Sequence, residues 1–237
     1  KELKSIGAIF ETVDYKNLIE QTSNHLCNEK VIGWFQGRME FGPRALGGRS
    51  ILGDPRSEKM QKNLNLKVKY RESFRPFAPS ILKEDLSNWF NINVDSPYML
   101  LVAEINSEKK IEMTDDQEKL FGINKLNIKR SEIPAVTHID YSARIQTVSN
   151  KTNKAYYDLI SKFKEKTGCP IIVNTSFNVR GEPIVNTPTD AFNCFMGTEL
   201  DYLVIGNCIL DKNKQNQNLK KDYTTITISH LFANIHL

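Results

Sequence analysis

Between Asp14 and Glu29 the apolar residues Leu18, Ile19 and Leu26 recur at helical spacing. Asp14 stands where a capping side chain belongs, so the pattern predicts a helix over 15–29 after an irregular lead-in, residues 1–14. Val31 to Phe35 is an apolar run of strand length. Gly37 to Ser50 interrupts the pattern with glycines, arginines and a proline and predicts a loop. Asp54-Pro55 predicts a helix start, with Asp as cap and Pro in the first helical position, ending near Leu66. Pro76 and Pro79 favour extended chain over 74–82. Lys83 to Phe90 predicts a short helix, and Tyr98 to Ile105 a strand. The charged stretch 106–130 predicts an inserted loop or hairpin. Ala135 to Ile139 and Ala143 to Val148 predict two more strands. Tyr156, Leu159, Ile160 and Phe163 mark a helix from Asn153 to Thr167, closed by Gly168.

Pro170 to Val173 reads as a buried strand that runs into a polar loop, Asn174 to Glu182. Thr187-Pro188 starts a helix with Asp190 in its first turn, where a carboxylate suits the helix dipole. Asp201 to Leu210 predicts one last strand, and Asp211 to Asp222, dense in Lys, Asn and Gln, a mobile surface segment. Tyr223 to Leu237 is mildly apolar and assigned to no element. Strands and helices mix without strict alternation. The expected fold is therefore α/β of the α+β type, a mixed twisted sheet flanked by helices. The expected division is a lead-in segment and helix (1–30), a main domain (31–210) and a polar C-terminal extension (211–237).

A length of 237 residues suits one large domain. With 40% hydrophobic and 25% charged residues, the balance is that of a soluble globular chain. No apolar stretch approaches the roughly 20 residues that span a bilayer, and the N-terminus lacks the order of a signal peptide. A cytoplasmic location is the expectation. None of Cys27, Cys169, Cys194 and Cys208 forms a C-x-x-C pair, which argues against zinc and against a disulfide framework. The histidines His25, His138, His230 and His236 are scattered, and G-x-S-x-G, H-E-x-x-H and H-x-x-x-H patterns are missing, so a hydrolase triad or metal centre is not expected.

The net charge of +4 is too mild to argue for nucleic acid, and no aromatic-rich basic stripe accompanies it. The placing of arginine says more. Arg38, Arg44, Arg49, Arg56, Arg71 and Arg75 are six of the nine in the chain. Guanidinium groups grip phosphate and carboxylate in planar, bidentate fashion, and among glycines and prolines they point to a small anionic ligand.

Four segments carry candidate chemistry. In Gly37 to Ser50, the glycines Gly47 and Gly48 let backbone N–H groups approach a ligand, and Arg38, Arg44 and Arg49 add charge. The same segment reads equally well as a turn whose arginines pair Glu40 and Asp54. In Lys67 to Phe77, an extended backbone would put Lys67, Lys69, Arg71 and Ser73 on one face, either around a polyphosphate or as solvated cations on an edge strand. Glu72 would project to the other side and pair with a cation. In Asn174 to Pro183, Ser176 and Asn178 follow an apolar strand, the usual place for ligand loops, but a self-bonded turn has the same composition. In Thr137 to Arg144, His138 and Asp140 would share a strand face as a structural pair.

The segments GWFQGRMEFGPRALGGRSILGDPR, VKYRESFRPFAPS, IPAVTHIDYSARIQTV and NTSFNVRGEPIV resemble the C-terminal domain of the O-carbamoyltransferases, over roughly residues 31–210. These enzymes act in nodulation-factor and antibiotic biosynthesis. The resemblance implies a YrdC-like fold marked by K-x-R and S-x-N, here Lys69-x-Arg71 and Ser176-x-Asn178. It implies a domain that makes carbamoyl-adenylate from carbamoyl phosphate and ATP with Mg²⁺. It places Lys69, Arg71, Arg44, Arg144 and Ser176 in the catalytic set, and Lys69, Arg71, Ser176, Asn178 and Arg38 in the nucleotide-binding set. Transfer to an acceptor hydroxyl would fall to an ATPase-like domain with histidine ligands for iron, expected as a separate domain or subunit. One departure stands out, Asp140-Tyr141-Ser142 where the family has Asp-Gly-Thr, which restricts the backbone near Arg144. Two other readings stay open, a nucleotide-binding module that has lost its chemistry and scaffolds or regulates a partner, and an RNA-binding domain.

Overall fold

The computed structural model describes residues 1–126, 128–221 and 223. Asp222 and residues 224–237, which hold the unassigned stretch and the last two histidines, lie outside the described residues.

Nine strands among the described residues form one mixed sheet in the order β1-β9-β8-β2-β3-β7-β4-β6-β5. They are β1 (Glu11–Thr12), β2 (Ile32–Phe35), β3 (Arg49–Gly53), β4 (Ala78–Leu82), β5 (Leu101–Glu104), β6 (Ser142–Val148), β7 (Ile171–Ser176), β8 (Tyr202–Ile205) and β9 (Cys208–Asp211). The β2/β8 and β4/β6 pairs are parallel and the others antiparallel. The helices are α1 (Glu2–Ser5), α2 (Tyr15–Cys27), α3 (Met60–Asn63), α4 (Leu86–Trp89), α5 (Asp115–Glu118), α6 (Ile123–Leu126), α7 (Lys154–Thr167) and α8 (Pro188–Gly197). The expected mixed sheet with flanking helices is the one found.

Two long helices form where the pattern places them. Asp14 caps α2 by accepting from Asn17 N at 2.9 Å, and Leu18, Ile19 and Leu26 are buried. Asn153 caps α7, and Gly168 ends it in the left-handed region at φ +75°, a conformation a Cβ would strain. The buried faces of α2 and α7 meet each other and pack on β2, β4 and β7, while α8 packs on β2 and β8. Thr187 and Asp190 form a reciprocal capping box at the start of α8.

Several expectations are corrected. Residues 49–53 are a central strand, not the end of a loop; its arginine is hidden by laying its guanidinium 3.4 Å from the Phe35 ring centre. Asp54 caps no helix, because its carboxylate is taken by Arg56 N and the Arg56 guanidinium, and α3 begins only at Met60. The segment after α3 is not extended. It widens into π-helical bonding over Leu64–Val68, where Lys69 N reaches Leu64 O at 2.9 Å. Ala135 to Ile139 is a short 3-10 turn (Pro134–Val136) and a bend, so His138 and Asp140 share no strand face. Both instead bond Ser142, which draws the turn shut. Strand β7 runs on through Ser176, because its polar end is paired with Ser50 and Thr175 with Ile51. The predicted last strand is two, β8 and β9, turned at Gly206 with φ +55°.

The segment after Asp211 is packed, not loose. Asp211 and Asn216 cap successive 3-10 turns, and the buried Gln215 amide clasps the Ile9 backbone at 3.0 and 2.8 Å. The lead-in carries α1 and β1 and is drawn onto β9.

Candidate functional site

Strand directions gather the four chemical segments. Strand β7 ends where β3 and β4 begin, as the pairs Ser50↔Ser176 and Ala78↔Asn174 show. Strand β6 runs parallel to β4, so its Arg144 end lies at the same end of the sheet. The Gly37–Ser50 loop, the turn after α3, the start of β6 and the end of β7 therefore converge.

The Gly37–Ser50 loop is built from polar groups buried under it. Glu40 accepts from Leu46 N at 2.8 Å and Gly48 N at 2.6 Å. Trp34 donates to Gly47 O at 2.9 Å, and Gly47 N donates to Ser50 Oγ at 3.1 Å. Asn174 Nδ2 donates to Ala45 O and Gln146 Nε2 to Leu46 O, both at 2.9 Å. Asn174 Nδ2 also donates to Gln146 Oε1 at 2.8 Å, and Ser80 and Tyr156 extend the network. Every bond in such a buried network fixes the loop carrying Arg44 against β6 and β7. Glu40 thus binds backbone and does not pair an arginine, and Asp54 pairs Arg56.

A cavity of about 130 Å³ lies at this point, lined by Arg44, Arg71, Arg144, Met99, Asn174 and Ser176 among others. No carboxylate lines it. Three guanidinium groups around a space a few waters in size give it the charge and room to hold a small anion. Arg71 Nε is held by Asn65 Oδ1 at 2.6 Å, and its guanidinium lies 5.0 Å from the Phe77 ring centre. Burial pushes the Arg71 pKa down to about 10, with Arg75 adding to it and Glu72 opposing. Burial, and then neighbouring Arg44, also lower the pKa of Arg144. Each cation is held beside others without a counter-ion in the cavity, the condition an anion relieves.

Three buried polar atoms around the cavity lack hydrogen-bond partners among the described residues: Arg44 Nε, Arg144 Nε and Asn174 Oδ1. Arg144 Nη2 meets the Met99 sulfur at 3.9 Å. A buried polar atom without a partner costs about 1–3 kcal/mol, so the arrangement is primed for a ligand with both acceptors and a donor.

Lys69 and Asn178 stand behind this cavity and do not line it. Lys69 is only 4% exposed. Its ammonium donates to Ser176 O, Asn178 O at 3.0 Å and Asn178 Oδ1 at 2.8 Å, and lies 3.3 Å from Ser176 Oγ. Ser176 Oγ in turn donates to Asn178 Oδ1 at 2.8 Å. Burial pushes the Lys69 pKa down to about 7, with Cys194 opposing and Arg71 adding to the effect. K-x-R and S-x-N are thus one unit, locked through the lysine. Arg38 lies exposed on the loop, outside the cavity lining. Lys67 is turned away, 3.0 Å from Glu199, and Glu72 pairs Arg75 and Arg180 as expected.

Sequence reasoning does not single out Gln146 and Met99, gives Asn174 no role, and names Glu40 only as an arginine partner. The available signal is an amide set inside an apolar strand, as Gln146 is within Ala143 to Val148. Three of the four non-glycine residues with positive φ among the described residues flank the site: Tyr70 (+47°), Met99 (+56°) and Tyr141 (+61°). Such backbone outliers cluster at functional sites. Tyr141 occupies a glycine-type conformation, and its ring is drawn toward the inserted segment by Lys110, 5.2 Å from the ring centre.

The described residues bring together no three His, Cys, Asp or Glu side chains that would hold a metal ion, and no described helix is long and apolar enough to cross a membrane.

Comparison with known proteins finds relatives over most of the chain. An uncharacterized protein of Synechocystis is 56% identical over 213 residues, 90% of this chain and 35% of that protein. Nodulation protein NolO of Bradyrhizobium diazoefficiens is 43% identical over 83% of this chain and 33% of its own length. The 3'-hydroxymethylcephem-O-carbamoyltransferase of Streptomyces clavuligerus is 34% identical over 78% of this chain and 31% of its own length. The chain thus spans about a third of the length of these relatives. Residues 23–212, which contain all of the converging segments, match the family described as Carbamoyltransferase C-terminus, and the chain belongs to that family.

Proposed function

We propose that this chain activates a carbamoyl group with ATP for transfer to an acceptor hydroxyl. Carbamoyl phosphate is hydrolysed to carbamate and phosphate. A carbamate oxygen then attacks the α-phosphorus of ATP, the bond to the β-phosphate oxygen breaks, and carbamoyl-adenylate and pyrophosphate form. The protein's task in such a step is to align reactants and neutralise charge.

The observation that carries this reading is the mixed character of the cavity. Arg44 Nε and Arg144 Nε are donors without partners, and Asn174 Oδ1 is an acceptor without one. Phosphate alone uses the donors. A carbamoyl group also brings N–H donors, which would satisfy Asn174. Arg71 and Ser176 would hold phosphate oxygens, and Lys69 would fix Ser176 and Asn178 in place. Arg38, exposed on the same loop as Arg44, would meet the outer phosphates of the nucleotide. Magnesium would enter on the nucleotide's phosphates, since the lining offers it no carboxylate. The transfer step would belong to an ATPase-like, iron-binding partner domain or subunit.

The test is pyrophosphate release from ATP by the purified chain, with carbamoyl phosphate or acetyl phosphate as co-substrate. Release that requires carbamoyl phosphate and is lost in Lys69→Ala supports the reading. Equal release with acetyl phosphate removes the role of Asn174. ATP binding without release in any condition favours a module that scaffolds or regulates a partner.

A further inference from the structure

The C-terminal residues beyond the family match touch two residues, Glu182 and Gly197, that in turn bond residues in the two motifs of the site. Lys221 Nζ lies 2.9 Å from Glu182 Oε1. The backbone oxygen of the same Glu182 accepts from Asn178 Nδ2 at 2.8 Å. Asn178 Oδ1 takes the Lys69 ammonium at 2.8 Å and Ser176 Oγ at 2.8 Å. An unbroken chain of polar contacts thus runs from Lys221 to the buried lysine.

A second contact is independent of the first. Gly197, at the end of α8, accepts from Tyr70 OH at 2.8 Å, and Tyr70 stands between Lys69 and Arg71. The bare face of Gly197 is where the C-terminal segment rests. A Cβ there would meet the Tyr223 ring at 2.3 Å and Lys221 O at 2.7 Å. No side chain fits without shifting backbone. Lys221 and Tyr223 therefore seat on Gly197, which accepts from the middle residue of K-x-R, while the Lys221 side chain holds the loop that follows S-x-N.

We infer that Lys221 is a positioning residue, which through Glu182 fixes the Asn178 amide that orients Lys69 and Ser176. The loop from Phe177 to Asn186 closes on itself through Val185 N to Phe177 O and Glu182 N to Val179 O, and is tied to its surroundings by Phe177 N to Arg49 O, Lys69 to Asn178 and Arg180 to Glu72. Its ion pair to Lys221 anchors it to a segment from outside the loop. The consequence for turnover rests on the function proposed above; the consequence for the loop does not.

The experiment uses the full chain with Lys221→Met, Lys221→Arg and Gly197→Ala. Backbone hydrogen exchange over residues 177–186 is expected to rise at least tenfold in Lys221→Met and Gly197→Ala, with β3 and β7 amides unchanged. Lys221→Arg, which keeps the cation, is expected to restore protection. Unchanged exchange in Lys221→Met overturns the inference, whether or not the chain turns over. Where the wild type releases pyrophosphate, KM for ATP is expected to rise at least threefold in Lys221→Met and to recover in Lys221→Arg. Faster exchange with unaltered kinetic constants overturns the link to the site. A wild type that releases no pyrophosphate defeats the proposed function alone, and the exchange arm still decides the contact.

Discussion

The side chain of Lys69 ends 2.8 Å from Asn178 Oδ1, joining two segments 109 residues apart through one buried ammonium group. Its hydrogens are shared among oxygens of Ser176 and Asn178, so the lysine shapes the end of β7 and the loop after it.

That contact carries a pH signature. The folded-state pKa of Lys69 lies near 7 and its ordinary value is 10.5. Between these values the unfolded chain binds the proton that the folded chain releases, so stability from this group rises with pH across that window. Urea midpoints from pH 7 to 10 should climb more steeply in the wild type than in Lys69→Met. Parallel slopes would rule out a depressed Lys69.

Arg44 and Arg144 should contribute separately to anion binding. A hydrogen bond to a charged group is worth about 1.5–3 kcal/mol, or roughly 10- to 150-fold in affinity. Calorimetric titration with carbamoyl phosphate should show a loss of that size for Arg44→Ala and for Arg144→Ala. Arg144→Lys should recover little, because an ammonium lacks the planar fork.

Tyr141 offers a test of backbone strain. At φ +61°, alanine bears a penalty of about 1 kcal/mol that glycine escapes. Tyr141→Gly should therefore be more stable than Tyr141→Ala by about that amount in chemical denaturation. Comparison of the two leaves out the ring's contact with Lys110, which both lack.

Gly47→Ala should damage the arginine loop from beneath. The new Cβ would stand 2.4 Å from the Tyr156 ring, at a backbone φ of +108°. Crowding and strain together should cost about 2–4 kcal/mol, read as a lower urea midpoint. Weaker binding of carbamoyl phosphate should accompany it, because Arg44 rides on the same loop.

Local signals in the chain determined much of the frame. The caps at Asp14, Asn153 and Thr187 and the stop at Gly168 are short-range contacts, legible wherever a side chain bonds its own helix end. Arginine clustering over 38–75 pointed to an anion, and two of those six arginines, Arg44 and Arg71, line one cavity, where Arg144 joins them from outside the cluster. The extended reading of Lys67 to Ser73 failed because alternation of charge is only a surface pattern. Burial of Lys69 against Ser176 and Asn178 requires the chain to wind instead, and partners so far along the sequence leave no trace in local spacing.

Only the tertiary structure decided which of these residues line the cavity. Arg49, equal to Arg44 in sequence context, lays its guanidinium on Phe35 and on backbone carbonyls, whereas Arg44 lines the cavity; each keeps a buried Nε without a partner among the described residues. The difference arises from strand pairing. Residue 49 begins β3 inside the sheet, while residue 44 lies in the loop that Asn174 and Gln146 press over its end. Residue type sets what a side chain can bind, and the pairing of distant strands sets what it meets.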